Sequence, residues 1–270
     1  MYLQIVVPTD GSGDSLRAFG PAKLLASACD APVVVITVIG TDENVAHIEA
    51  ELLPRLAGFD ASTDRLMIVK GAEPAAVVLA ELERVPGSLL CMRSSGHTHT
   101  EPILGLVTEA VLRGTTGPAL LIGPQVDTDA WTLHSPMVVC ADGSATAQTI
   151  VPLAAQWGIT MGVDLTVCVV TNPDVTPDAD TSESALPAHV ARELQRAIGR
   201  PVDYDSLHGH DVPSAIIAFA AERNAGLIAA ATHGRTGLKR IAMGSTTMAL
   251  VHRAPMPVLT QRPPAFVQEP

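Results

Sequence analysis

No run of apolar residues approaches the roughly 18 needed to cross a bilayer, and no basic segment followed by a cleavable apolar stretch opens the chain. Neither a membrane span nor a secretory leader is expected, and the protein reads as cytoplasmic. The four cysteines, Cys29, Cys91, Cys140 and Cys168, form no Cys-x-x-Cys pair, and three of them sit in apolar runs that read as strands. In such runs cysteine behaves as a small hydrophobe, so a core role is expected, and zinc and disulfides find no support. Positive charge is also scarce: 17 Lys and Arg stand against 28 Asp and Glu, a net charge of −11. A surface of that sign repels phosphate backbones, so no nucleic-acid partner is expected. A Gly-x-x-x-x-Gly-Lys-Ser/Thr loop and a Gly-x-Ser-x-Gly elbow are both missing, so metal-dependent phosphate transfer at a loop of that kind and a serine nucleophile on such an elbow are not expected.

What is present is a repeat. The 270 residues, 47% hydrophobic and 17% charged, exceed the usual length of one domain. Ile5-Val-Val-Pro-Thr-Asp10-Gly11-Ser12 is echoed by Met137-Val-Val-Cys-Ala-Asp142-Gly143-Ser144, an offset of 132 residues. Gly71 and Gly96 recur as Gly209 and Gly234 at an offset of 138, so six residues enter the second copy, and the Pro- and Asp-rich stretch 171–184 is where they fit. Within a copy, short β-branched runs alternate with helical spacing. In the first copy strands are expected over 3–8, 33–39, 66–69, 89–92 and 119–122, and helices near 16–25, 45–56, 75–82 and 103–112. The second copy places strands near 137–140, 164–170, 202–207, 227–231 and 257–260. Five strands with intervening helices predict a parallel doubly wound α/β sheet in each copy. Residues 123–136 read as a linker, which divides the chain into domains 1–132 and 133–270. The first holds 8 basic and 16 acidic side chains and the second 9 and 12, so the second is the more favourable place for an anion.

In open parallel sheets ligands bind beyond the carboxyl ends of the strands, where strand order reverses. Asp142-Gly143-Ser144 closes the first strand of the second copy, placing a carboxylate at such an end. By itself it reads equally as an Asp-Gly turn with a helix cap. The stronger signal follows the strand at 227–231: Gly234, Gly237 and Gly244 permit close backbone approach, and Gly244-Ser245-Thr246 opens a helical pattern. A helix start of that kind offers backbone N–H groups, two hydroxyls and the positive end of the helix dipole. Arg235, Lys239 and Arg240 add positive charge. His97 and His99, like His208 and His210, stand two apart with no carboxylate or cysteine at recognisable ligand spacing, so solvated loop histidines are expected rather than a metal site.

With those residues in view, the chain resembles the universal stress protein family, which carries Gly-x-x-Gly, nine residues, then Gly-Ser or Gly-Thr after its fourth strand. Here Gly234 is followed by nine residues and Gly244-Ser245, with Ala231 in place of the first glycine. The resemblance runs over the whole chain, twice. It implies two tandem five-stranded parallel doubly wound domains, Rossmann-like and of the adenine nucleotide alpha hydrolase type, packed as a pseudo-dimer through their final strands. It also implies ATP, with Mg2+ as an optional companion. Carried over residue by residue, Asp142 and the backbone at Val169 face adenine and ribose, and Ala230 and Ala231 line the ribose. Gly234, Gly244, Ser245 and Thr246 wrap the phosphates, with Arg235 as charge neutraliser.

The first copy departs from that pattern. Only eight residues separate Gly96 from Gly105, Leu106 stands where the hydroxyl belongs and Arg93 where the small residue belongs, Glu101 replaces Lys239, and Pro102 has no N–H to donate. A structural partner copy is expected there. The implied function is a stress-response protein, non-catalytic or at most a very slow ATPase, in which nucleotide at the second copy tunes conformation or the choice of a protein partner not yet identified. Association of two chains as a homodimer is a further implication. The rival reading is a nucleotide-free interaction module of the same fold.

Overall fold

The computed structural model describes residues 1–94, 104–171, 185–232 and 243–262. The first copy runs β1 (Gln4–Pro8), α1 (Gly13–Leu16), α2 (Phe19–Cys29), β2 (Val33–Ile39), α3 (Val45–Leu52), β3 (Arg65–Lys70), α4 (Pro74–Arg84), β4 (Ser88–Arg93), α5 (Leu106–Gly114) and β5 (Pro118–Ile122). The second runs β6 (Met137–Ala141), α6 (Ile150–Thr160), β7 (Leu165–Thr171), α7 (Ala185–Ile198), β8 (Asp203–His208), α8 (Val212–Glu222), β9 (Leu227–Ala231), α9 (Ser245–Arg253) and β10 (Val258–Gln261).

Apolar continuity decides which strands lie inside. The run Val-Val-Val-Ile-Thr-Val-Ile of β2 is buried at six of its seven positions, and β9 at all five, as expected for strands covered on both faces. Charged ends mark the edges instead: β3 begins at Arg65 and ends at Lys70, both exposed, and β8 carries exposed Asp203 and Tyr204. Charge on an edge strand opposes pairing with a further chain. The helices start where the sequence supplies caps. Asn44 accepts from the amides of Ala46 and His47 at 2.9 and 3.4 Å, Asp211 accepts from Ser214 N at 3.4 Å, and Pro74 and Pro213 occupy first-turn positions that need no N–H donor.

The helix expected near 16–25 is two helices, because the chain turns at Arg17 and Ala18 between α1 and α2. That near 45–56 ends its α-helical part at Leu52 and tightens into a 3-10 turn carrying Pro54. Helix α5 begins only at Leu106, after the cap Gly105, and Ile103 lies outside the described residues.

All ten strands form one sheet, ordered β3-β2-β1-β4-β5-β10-β9-β6-β7-β8. Within each copy the pairing is parallel, and strand order reverses between β1 and β4 and again between β6 and β9. The copies join through their last strands, β5 and β10, antiparallel, with Val258 opposite Leu121 and Gln261 opposite Pro118. Among the described strands, joining there leaves β3 and β8 as the edges. Two apolar layers, one on each face, continue across the junction and draw on both copies.

Trp157 of α6, fully buried, donates its indole N–H to the Tyr2 hydroxyl at 2.7 Å, and the rings meet edge to face. Burial outweighs that bond and pushes the Tyr2 phenol far above its ordinary range. Residues 123–136 pack down rather than run free: Val126, Trp131 and Leu133 are buried, and the Trp131 indole donates to Gly226 O at 2.7 Å. Gly123 touches the facing copy so closely that a Cβ there would meet Val251 O at 1.8 Å.

Candidate functional site

Strand order reverses at two places, between β6 and β9 and between β1 and β4, and it is beyond the carboxyl ends of such strands that a doubly wound sheet forms a ligand crevice. In the second copy Asp142 follows β6 directly, and Gly143 turns the chain at φ 81°. The Asp142 Oδ1 accepts from Ser144 N at 2.8 Å and from Ser144 Oγ at 2.6 Å, which fixes the carboxylate on its own turn. Ser144 Oγ accepts from Ala147 N at 3.0 Å and so heads the 3-10 turn that leads into α6.

Across the crevice, β9 ends in the buried Ala230 and Ala231, whose methyl groups add little bulk at the strand end. Gly244 caps α9 with an extended backbone and no side-chain bond to the helix start. Its N–H donates to Thr232 O at 2.6 Å, which ties the start of the helix back to the end of the strand. Ser245 and Thr246 then stand exposed in the first turn of a nine-residue helix. The first-turn amides, the two hydroxyls and the dipole suit an anion, and the alanines leave room for an uncharged ring beside it. Val169, assigned to the adenine side, is buried near the end of β7 opposite Ala141. Asp142, Val169, Ala230, Ala231, Gly244, Ser245 and Thr246 therefore all stand at the same ends of neighbouring strands, while Gly234 and Arg235 lie outside the described residues. So do His97, His99, Glu101, Pro102, Gly237, Lys239 and Arg240. Among the described residues no three His, Cys, Asp or Glu side chains converge on a metal-sized site.

The first copy reproduces the scaffold and changes its contents. Gly105 N donates to Ser94 O at 3.0 Å, as Gly244 N does to Thr232 O. Thr108 Oγ1 donates to Arg93 O at 3.2 Å, as Thr247 Oγ1 does to Ala231 O at 2.8 Å. These matching bonds put Arg93 where the second copy has Ala231. Arg93 is 5% exposed, and its guanidinium donates to Asp14 Oδ1 at 3.0 and 2.7 Å and to the carbonyls of Ile122 and Gly123. A long buried cation, with its counter-ion on α1, thus lies at the end of β4, and Leu106, 86% exposed, replaces Ser245. Asp10 keeps its turn, accepting from Ser12 N at 2.9 Å and Ser15 Oγ at 2.6 Å.

The sequence reading missed Thr108 and Thr247, the buried hydroxyls that clamp each helix to its strand. The signal was available, since a threonine stands three residues after the capping glycine in both copies. It also missed the pairing of Arg93 with Asp14, which joins residues 79 apart and leaves no trace in local pattern.

Comparisons with known proteins bear on the repeat as a whole. A sequence model described as "Universal stress protein family" matches residues 1–123 and again 134–262. A universal stress protein of Synechocystis sp. is 26% identical over 159 residues, 59% of this chain, and the match spans 52% of that relative's length. One from Methanocaldococcus jannaschii is 30% identical over 140 residues, 45% of this chain and 82% of that one. Among solved structures, a universal stress protein from Archaeoglobus fulgidus superposes with a TM-score of 0.70 at 22% identity, covering 97% of this chain and 99% of its own.

Proposed function

This chain belongs to the universal stress protein family, and from that premise we propose that its second copy binds ATP while its first serves as a built-in partner that binds none. The observation that carries this reading is the contrast at one structural position. Ala231 and the exposed Ser245 and Thr246 line one crevice, whereas the buried Arg93 and the exposed Leu106 take the same places in the other. In this reading Asp142 and the backbone at Val169 hold adenine and ribose, Ala230 and Ala231 line the sugar, and Gly234, Gly244, Ser245 and Thr246 wrap the phosphates. Arg235 offsets their charge, and Mg2+ accompanies the nucleotide.

The donor set holds a nucleotide without supplying a catalytic acid or base, so the protein is a binder, or at most a very slow ATPase. Its nucleotide tunes conformation or the choice of a protein partner in a stress response. The domains divide at residue 132, pairing of whole chains is a further step, and the protein works in the cytoplasm. No helix among the described residues is long and apolar enough to cross a membrane.

Mass spectrometry of nucleotide released from gently purified protein, followed by ATP titration calorimetry, tests the reading. About one ATP per chain is expected. Absence of nucleotide together with a flat titration overturns it and leaves an interaction module of the same fold.

A further inference from the structure

Strands β6 and β7 pair in parallel with Cys140 opposite Cys168, so the two side chains share one face of the sheet. Their sulfur atoms stand 3.8 Å apart, in van der Waals contact, and both thiols are free. The residues are 28 apart in sequence, and only the register brings them together. At the matching places in the first copy Pro8 stands opposite Ile36, so the dithiol belongs to the second copy alone. The other two cysteines have different surroundings: Cys29 and Cys91 are buried in the opposite apolar layer, and the Cys91 thiol faces the Ala18 carbonyl at 3.5 Å. Cys168 is 1% exposed, whereas Cys140 is only half-buried and is followed two residues later by Asp142.

We propose that Cys140 and Cys168 form an oxidation-sensitive dithiol that closes to a disulfide beneath the crevice of the second copy, with a hydroperoxide as oxidant. Cys140 reacts first, because it is the less buried residue of the two. After losing its proton it attacks a peroxide oxygen, giving a sulfenic acid and, from hydrogen peroxide, one water. The Cys168 sulfur then attacks the Cys140 sulfur and expels the hydroxyl as a second water, its own proton leaving with it. Two thiols lose two electrons, and one hydrogen peroxide becomes two waters. Contact with Cys168 first, and burial second, hold the Cys140 thiol well above its ordinary range, so the reaction is slow near neutral pH and quickens as pH rises.

Closing the contact from 3.8 Å to a bond of about 2.05 Å acts on two strands of which one leads directly into Asp142 and the other carries Val169, the residue after Cys168. Oxidation therefore disturbs the residues assigned to adenine and ribose. This consequence rests on the proposed nucleotide site, whereas the bond itself does not.

The test treats the full chain with hydrogen peroxide at pH 8, alkylates it under denaturing conditions and maps its peptides. Two of the four thiols should be lost, with one cross-linked species joining Cys140 to Cys168 that dithiothreitol reverses. In Cys168→Ser the cross-link should vanish and dimedone should trap a sulfenic acid at Cys140, and Cys168→Ala supplies the same reading if serine perturbs the fold. Four alkylatable thiols after treatment, or Cys140 carried to sulfinic acid in the wild type without a cross-link, overturns the proposal. ATP titration of the oxidised chain should show at least tenfold weaker binding, restored by dithiothreitol. A cross-link with unchanged ATP affinity overturns the coupling, and a cross-link in a chain that never binds ATP overturns the proposed function while the dithiol stands.

Discussion

The two copies share a frame and differ in what they hold at both ends of their strands. At the carboxyl ends, a capping glycine and a buried threonine tie helix to strand in each copy, through Gly105 and Thr108 in one and Gly244 and Thr247 in the other. The frame is thus indifferent to the crevice it borders, and the first copy has spent that freedom on an internal ion pair. The amino ends differ as well. In the first copy Glu81, almost wholly buried on α4, accepts from Gln4, Arg65 and Arg84. In the second, Phe219 on α8 is buried with the Arg223 guanidinium 5.0 Å from its ring centre, and the linker's Trp131 indole donates to the Gly226 carbonyl. Arg223 also pairs with Asp203 and Asp205 at 3.7 and 3.6 Å, so the first copy buries its carboxylate among cations whereas the second keeps its ion pairs at the surface beside a buried ring.

The severest way to break this comparison is to break the junction. Gly123→Ala drives a methyl into Val251 O, a backbone atom that cannot swing aside, and should cost about 4 kcal/mol or more. Thermal unfolding should then fall by many degrees, and amide exchange should rise on both sides of β5 and β10. Next in size is the ion pair of the first copy. Arg93→Ala takes the guanidinium from the Asp14 carboxylate, while the Ile122 and Gly123 carbonyls keep the amides of Ser94 and Val126, and should cost about 2 kcal/mol by urea denaturation, with ATP affinity unchanged. A stability equal to wild type would mean that the Arg93–Asp14 pair does not stabilise the first copy.

The capping glycines sharpen the contrast further. Gly244 sits at φ −67° and Gly105 at φ −57°, backbone that valine adopts, so strain is not at issue. Gly244→Val should weaken ATP at least about a hundredfold, some 2.7 kcal/mol, because a branched side chain meets the phosphates. Gly105→Val should leave it untouched, and equal losses from both would refute a single site.

The smallest effect is the pH dependence of the polar end. The Arg84 hydrogen bonds, with those of Gln4 and the Arg65 charge, outweigh burial and hold the Glu81 carboxyl below its ordinary 4.5. Its stabilisation is therefore complete above pH 4.5 and is lost as pH falls through the lowered value. Below pH 4.5 the melting temperature of the wild type should drop more steeply than that of Glu81→Gln.

Much of this was legible in the chain. The strand at 33–39 and that at 227–231 matched residue for residue, since a buried parallel strand writes itself as an unbroken apolar run bounded by turn residues. The edge strands were placed but not recognised as edges, because edge position depends on strand order and not on local pattern. The helix near 16–25 was read through its break, since Leu16 and Phe19 keep helical spacing across Arg17 and Ala18, whose angles stay helical while their N–H groups bond three residues back, to Asp14 and Ser15. The carboxyl-end glycines, Asp142 and the first-turn hydroxyls were legible as candidates because such motifs are contiguous. Arg93 was seen as a departure, but its partner was not.

The sequence by itself determined the repeat and the alternation of strand and helix, because each is written in residues adjacent or regularly spaced along the chain. Tertiary structure alone decided which groups separated by tens of residues meet. It closed Arg93 onto Asp14, laid Cys140 against Cys168, and set Gly123 against Val251. Such contacts follow from strand order and register, and these are fixed by how ten strands share two apolar layers rather than by any short stretch of sequence.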